Sequence, residues 1–277
     1  MGINILYGTS QPALLDACVV RIEEACRQWP DRRAMLLVPE QTKAEAERVY
    51  FDRTGRSGIL LAEVLSFSRL AWRVQGEIGG LSRACVDPVG KSILLHALLK
   101  EHRATLLALA ASAGRPGFAP QVGQVLGDLR RHGVRPGPLR EASGEAMGDD
   151  RAFAGKTADL AFLMERYDAR MAELGLYDRE DDLWRLAETL ENLRASLARQ
   201  RSSGGTLAWP MSRAGFLADT DVWVTGFAQT REFTPQEQAV LAGLAGVCGQ
   251  VTVTVCADAV PGDTVAVTSG PDAFRIG

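Results

Sequence analysis

The residues able to do chemistry in this chain gather where apolar runs end. Residues 3–7 form one such run and lead into Gly8-Thr9-Ser10-Gln11-Pro12-Ala13-Leu14-Leu15, where a phosphate-binding G-x-x-x-x-G-K-[ST] loop would stand. That chemistry needs glycine so that backbone N–H groups wrap the phosphates, lysine to neutralise them, and a hydroxyl to hold magnesium. Gly8 is present, but Ala13, Leu14 and Leu15 occupy the positions of the second glycine, the lysine and the hydroxyl. The spacing keeps the frame of a nucleotide loop without its groups, and the same residues suit an ordinary strand, turn and helix. Gly90-Lys91-Ser92 imitates the end of the motif, but Cys85 stands where its first glycine belongs and no strand pattern precedes it.

Two further segments carry polar and aromatic groups at strand ends. Val38-Pro39-Glu40-Gln41-Thr42-Lys43 offers Gln41, whose amide can pair with an adenine-like edge, and the segment equally suits a capped helix start. Residues 64–74, Val-Leu-Ser-Phe-Ser-Arg-Leu-Ala-Trp-Arg-Val, interleave aromatics with arginines. At the carboxyl edge of a parallel sheet, Phe67 and Trp72 would stack on bases and Arg69 would meet a phosphate or base edge. Taken alone, the two rings fit a helix core face at least as well. Asp178, Glu180, Asp181 and Asp182 cluster at a helix start, where acids complement the dipole. No Ser/His/Asp or Cys/His arrangement has motif support, so no catalytic residue is assigned. The three histidines and five cysteines lack metal-ligand spacing, and no metal site is expected.

These groups need elements to position them. Apolar runs at 3–7, 34–38 and 59–67 alternate with helical patterns at 12–27, 43–51 and 68–78, the signature of a parallel sheet covered on both faces. From about residue 86 to 205 the pattern is helical, including a stripe of Leu183, Leu186, Leu190, Leu193 and Leu197. Arg201-Ser202-Ser203-Gly204-Gly205 reads as a linker, after which short strands return at 222–224 and 251–255. Thr234-Pro235-Gln236-Glu237 opens the helix between them with a capping box. The expected organisation is an α/β domain in two parts, 1–85 and 206–277, with a helical insertion at 86–205. The polar tail from Pro261 reads like a chain cut in mid-domain.

The chain has 277 residues, 46% apolar and 23% charged, which excludes disorder and leaves no stretch long enough to cross a bilayer. A net charge of -3 gives no global pull toward nucleic acid, so any such binding must be local. The amino terminus lacks a signal pattern, which makes the cytoplasm the default location.

Taken together, Leu37-Val38-Pro39-Glu40-Gln41, the 64–74 string, Gly117-Phe118, Leu129-Arg130-Arg131-His132-Gly133-Val134, Gly226-Phe227 and Phe233-Thr234-Pro235-Gln236-Glu237 occur in family order. They resemble the amino-terminal region of the B subunit of AddAB-type ATP-dependent helicase-deoxyribonucleases, which process double-strand breaks for recombinational repair. The resemblance implies a P-loop NTPase-like, superfamily-1 helicase-like sheet with an inserted helical subdomain. It implies an AddA-type motor and nuclease subunit as heterodimer partner, and contact with single-stranded and duplex DNA. DNA-facing roles would fall to Gln41, Phe67, Arg69, Trp72 and Phe227, with Lys43 where the family commonly has a small hydroxyl residue. Thr225-Gly226 stands where helicases carry the Asp-Glu pair that serves magnesium. The resemblance thus implies a module that scans single-stranded DNA for a Chi-type hotspot without hydrolysing ATP, or one that only docks the motor subunit. The family's iron-sulfur cluster and nuclease magnesium belong to a carboxyl-terminal region, so no cofactor is expected here.

Overall fold

The computed structural model describes residues 2–55, 62–79, 84–146, 150–203, 206, 211–227, 233–257 and 267–270. Along the chain run β1 (Ile3–Gly8), α1 (Gln11–Gln28), β2 (Arg33–Leu37), α2 (Lys43–Thr54), β3 (Ala62–Leu65) and α3 (Phe67–Glu77). Next come β4 (Ala84–Cys85), α4 (Pro88–Glu101), α5 (Phe118–Arg131), α6 (Pro136–Ala146), α7 (Arg151–Glu173) and β5 (Leu176–Tyr177). The last group is α8 (Asp182–Ser203), α9 (Met211–Ala214), β6 (Thr220–Val224), α10 (Pro235–Val247), β7 (Gln250–Cys256) and β8 (Val267–Gly270). These elements form two compact units, one made of residues 1–80 with 183–277 and the other of residues 81–182.

The first unit is α/β. Its strands order as β3-β2-β6-β7-β1-β8, with the first five parallel and β8 antiparallel against β1. Successive strand residues point to opposite faces, and here both faces are apolar. Met35, Leu37, Val222 and Val224 meet α3, α8 and α10, whereas Ala34, Leu36, Val38 and Trp223 meet α1 and α2. In α1, Leu14, Cys18, Ile22 and Cys26 recur every fourth residue and are all buried. At α10 the capping box forms as its sequence predicts: Thr234 N–H donates to Glu237 Oε2 at 2.9 Å and Glu237 N–H to Thr234 Oγ1 at 3.4 Å.

The leucine stripe belongs to this unit, which corrects the expected boundaries at 85 and 205 to 80 and 182. Leu186, Leu190 and Leu193 of α8 pack into the core beneath the sheet. Two small positions on α10 permit the close approach: a Cβ on Gly243 would lie 2.8 Å from the Cβ of Leu190, and one on Gly246 would lie 2.6 Å from Arg194 Cδ. The expected linker is helical as far as Ser203, the last residue of α8, and Gly204 and Gly205 lie outside the described residues. The tail from residue 261 lies outside the described residues, apart from β8.

The second unit is a helical cluster closed by the two-residue parallel pair β4-β5. Leu95, Leu98 and Leu99 of α4, Val122 and Leu126 of α5, and Leu163, Met164 and Tyr167 of α7 form its core. Asp159 accepts backbone N–H groups from Leu107, Ala108 and Leu109, each at 2.8 Å, and so fastens the irregular segment after α4. The acidic cluster does more than complement a helix dipole, which is a second correction. Asp178 is buried, caps the turn that follows β5, and accepts from Lys91 Nζ at 2.8 Å and Tyr167 Oη at 3.1 Å. Arg130, also buried, pairs with Asp168 and with Asp181 at 2.7 Å, and its guanidinium lies 5.5 Å from the centre of the Tyr167 ring. Lys91 is thus the partner of a buried carboxylate on a helix capped by Asp87, and no phosphate loop forms there.

Burial drives the Asp178 carboxyl upward, but the Lys91 hydrogen bond and charge, the Glu180 N–H and Arg130 outweigh it and hold it below the usual range. A carboxyl lowered on folding stabilises the protein above its unfolded pKa of about 4 and loses that contribution as pH falls through the folded value. Lys91→Met leaves this carboxylate buried without its cation, at a cost of about 3–5 kcal/mol at neutral pH. Denaturant melts across pH should show that penalty shrinking as pH falls below about 4, where the unfolded chain protonates Asp178 first and the folded parent follows at its lower value. A penalty that stays constant with pH would remove the Lys91–Asp178 pair from the account.

Candidate nucleic-acid interface

The carboxyl ends of β1, β2, β3, β6 and β7 share one edge of the sheet, and the sequence-derived residues of this unit converge there. The edge beside β1 holds no nucleotide loop. The helix α1 begins at Gln11, so only Thr9 and Ser10 separate it from Gly8, with Pro12 in its first turn. This is the ordinary strand, turn and helix that the same residues suit. Ala13 is exposed and Leu15 half-buried on α1, while Leu14 is 1% exposed and packs back onto the strand end. A Cβ on Gly8 would lie 2.8 Å from Leu14 Cδ2, so glycine serves close packing at this point.

The polar groups at this edge satisfy one another. Gln11 Nε2 donates to Thr225 Oγ1 at 3.0 Å, and Thr254 Oγ1 lies 2.9 Å from the same hydroxyl. Gly226 takes φ 91°, and a Cβ there would lie 2.9 Å from Pro39 Cδ. What remains is a cleft of about 140 Å³ lined in part by Gln11, Thr42, Glu45 and Thr225. Ligand pockets usually run to roughly 300–1,000 Å³, and none of the lining side chains is a cation. Among the described residues, no group of three or more His, Cys, Asp or Glu is arranged to hold a metal, and no helix is long and apolar enough to cross a membrane.

Next to it, the ends of β2 and β3 carry the second set. Gln41 lies in a short turn of 3-10 helix, Glu40–Thr42, and its side chain is exposed with no hydrogen bond among the described residues. Lys43 opens α2 and pairs with Glu47 one turn on. Ser66 caps α3, its hydroxyl accepting the Arg69 N–H at 3.4 Å. That start turns Arg69 and Trp72 outward, Trp72 being 67% exposed. Arg69 Nε donates to Glu40 Oε1 at 2.9 Å.

Phe67 and Phe227 are a correction. Each is 4% exposed, and their ring centres lie 5.2 Å apart, with Phe233 at 6.2 and 5.3 Å completing a cluster. Rings covered on every side offer no face to a base, so these two support the rim from beneath. The sequence reading missed Glu40, which touches both the cap of α3 and its arginine. Its place beside Gln41 in a polar strand end was the available signal.

The first unit is thus an α/β domain with a mostly parallel sheet and a polar and aromatic rim at the carboxyl edge, the edge at which open α/β sheets in general hold ligands. The amino-terminal family model of ADDB, described as "ADDB, N-terminal", matches residues 5–200, and the chain belongs to that family. Its relatives carry the name of the B subunit of an ATP-dependent helicase/deoxyribonuclease. The chain is similar to the one from Pelotomaculum thermopropionicum, 33% identical over 261 residues that cover 93% of this chain and 20% of that protein. The protein of the same name from Heliobacterium modesticaldum is 33% identical over 262 residues, 93% of this chain and 19% of its own. That of Desulfitobacterium hafniense is 31% identical over 278 residues, 100% of this chain and 20% of its own. The chain thus spans about a fifth of the length of these relatives.

The buried and exposed aromatics of the rim separate in stability. Phe67→Ala should lower unfolding free energy by about 3–5 kcal/mol, whereas Trp72→Ala should stay within about 0.5 kcal/mol of the parent. Urea melts of the two variants check this, and equal losses would contradict the placement of Trp72 at the surface.

Proposed function

We propose that this chain is a helicase-like module of the B subunit of a DNA-repair helicase-nuclease, one that binds single-stranded DNA and does not hydrolyse ATP. The observation that carries the reading is the contrast along one sheet edge. Beside β1 the strand-to-helix turn is two residues long and sealed by Leu14, while beside β2 and β3 the Gln41, Arg69 and Trp72 side chains stand open. The P-loop NTPase-like assignment draws support from the parallel sheet, ordered β3-β2-β6-β7-β1, with helices on both faces. Lys43 adds a cation at the start of α2, able to exchange Glu47 for a phosphate.

In this role Trp72 stacks on a base, Gln41 offers an amide to a base edge, and Arg69 supplies a guanidinium. The motor function falls to an AddA-type partner, and scanning for a Chi-type hotspot is the process that such a rim serves. Cytoplasmic location follows from that role. A second reading has its own observation: Val89 and Ile93, one turn apart on α4, are exposed apolar residues opposite the buried Leu95, Leu98 and Leu99. On that reading the helical unit docks the motor subunit without touching DNA.

Tryptophan fluorescence at low salt tests the first reading. Single-stranded oligonucleotides should quench the parent chain with a dissociation constant in about the micromolar to millimolar range, and Trp72→Ala should lose most of the quenching and of the affinity. Magnesium-ATP should give neither turnover nor saturable binding. No DNA binding, together with co-purification with the motor subunit that Ile93→Asp abolishes, would favour the docking reading instead.

A further inference from the structure

At the carboxyl end of α4, within the helical unit, the chain carries cations that no neighbouring carboxylate neutralises. Lys100, Glu101, Arg103, Ala104, Ala110 and Ala111 line a shallow cleft of about 480 Å³. Lys100 is exposed and has no hydrogen bond or ion pair among the described residues. Arg103, also exposed, donates its Nε–H to the Ala110 carbonyl at 3.1 Å, and both of its Nη groups stay without a hydrogen bond or ion pair among the described residues. Arg166 of α7 adds a third cation. Its guanidinium lies 5.1 Å from the centre of the Phe162 ring, and His102 meets the same ring edge-on, which ties Arg166 to the turn that carries Arg103.

The acids of this surface are already engaged. Glu101 in the cleft and Glu173 on α7 both pair with Arg170, at 3.3 and 3.1 Å. Four cations thus stand against two carboxylates, and the three without an ion pair lie on the side of the cleft. A lysine in the last turn of a helix complements its dipole, but that accounts for Lys100 alone and not for Arg103 or Arg166. The wall opposite is fixed before any ligand arrives, because buried Asp159 accepts the N–H groups of Leu107, Ala108 and Leu109, just ahead of Ala110. Those three N–H groups also satisfy the Asp159 charge.

Unpaired ammonium and guanidinium groups on a shallow, rigid floor suit an extended polyanion, whereas a small ligand needs an enclosing pocket. The rim of the first unit is the opposite case, since Arg69 and Lys43 each face a carboxylate that repels phosphate. We infer that the cleft at the end of α4 is a separate DNA contact, one that takes the phosphodiester backbone irrespective of sequence. It rests on the proposed function only in taking DNA as the polyanion.

Fluorescence anisotropy of a labelled blunt duplex and of a thymidine strand of equal length, each over a salt series, tests this. A duplex offers backbone but no open base to Trp72, so it reports on the cleft apart from the rim. Affinity of the parent chain for the duplex should fall about fortyfold over a fourfold rise in salt, as three neutralised phosphates require. Lys100→Gln and Arg166→Gln should each reduce that fall to about twelvefold. Arg103→Lys keeps the charge while giving up the bond to Ala110, and should leave the salt dependence as it was. Glu101→Gln removes the acid that lines the cleft and should tighten duplex binding. Thermal melts of each variant separate folding from recognition. The same losses on the thymidine strand extend the contact to both forms of DNA, and losses on the duplex alone assign it to duplex. Absence of duplex binding, or a salt dependence that Lys100→Gln and Arg166→Gln leave unaltered, overturns the inference, while quenching that Trp72→Ala removes would keep the proposed function standing. Duplex binding with the expected losses, but no quenching through Trp72, supports the cleft and removes the rim instead. Polyglutamate that binds more tightly than a duplex of equal charge, through the same two cations, makes the surface a site for an acidic protein and overturns the inference as well.

Discussion

Burial of both faces of the parallel sheet constrains everything else in the first unit. Alternate residues of β2 and β6 enter two separate apolar cores, so neither face has room for a ligand or for an unpaired polar group. Polar chemistry is confined to the strand ends, and the connections leaving those ends decide what chemistry is present. A two-residue turn after β1 closes one part of the edge, because its helix starts at once and brings Leu14 over Gly8. The 3-10 turn after β2 and the serine cap after β3 do the opposite and project Gln41, Arg69 and Trp72 from the edge. Difference in local turn geometry, on a common scaffold, separates the sealed region from the open one.

Much of this was legible in the sequence, for reasons that particular residues make plain. The alternation of strands and helices followed from apolar spacing, as in Leu14, Cys18, Ile22 and Cys26, and Thr234 with Glu237 announced the start of α10 by local chemistry alone. Ser10 and Pro12 carry a comparable signal for α1, a cap position and a first-turn proline. Where a side chain's surroundings come from distant segments, periodicity has nothing to offer. The stripe on α8 shows that a helix has an apolar face but not that Gly243 and Gly246 of α10 receive it. Phe67 and Trp72 look alike in sequence; Phe227 and Phe233, far along the chain, bury the first and leave the second exposed.

The same limitation hid the charged interior of the second unit. Arg130 lies in a string that marks the family, yet its carboxylates come from Asp168 and Asp181 on other elements, and Lys91 finds Asp178 on the far side of the unit's sequence. Buried pairs of this kind add little net stability over apolar packing, because desolvation offsets most of the attraction. Their effect here is geometric. With Asp178 capping its turn while holding Lys91 and Tyr167, and Arg130 spanning Asp168 and Asp181, the network joins α4, α5, α7 and the turn after β5 in one arrangement. Shifting any of these elements would leave a buried charge unpaired, which costs far more than a slipped apolar contact.

Magnitudes at the rim bear on what kind of binding it supports. A base stacked on Trp72 contributes roughly 1–3 kcal/mol, and a fork from Arg69 to a base edge contributes about the same in discrimination. Their sum, about 2–6 kcal/mol, is close to the free energy of a millimolar complex, before the cost of ordering a flexible strand is taken off. With net charge -3 and the nearby cations Arg69 and Lys43 both paired to carboxylates, little long-range attraction supplements it. On the proposed function, a rim of this strength binds free oligonucleotides only weakly. The proposal therefore places it on a strand already brought past it, where high local concentration replaces affinity. Weak attraction to phosphate is then an advantage, since a strand gripped by its backbone would stop at every sequence equally.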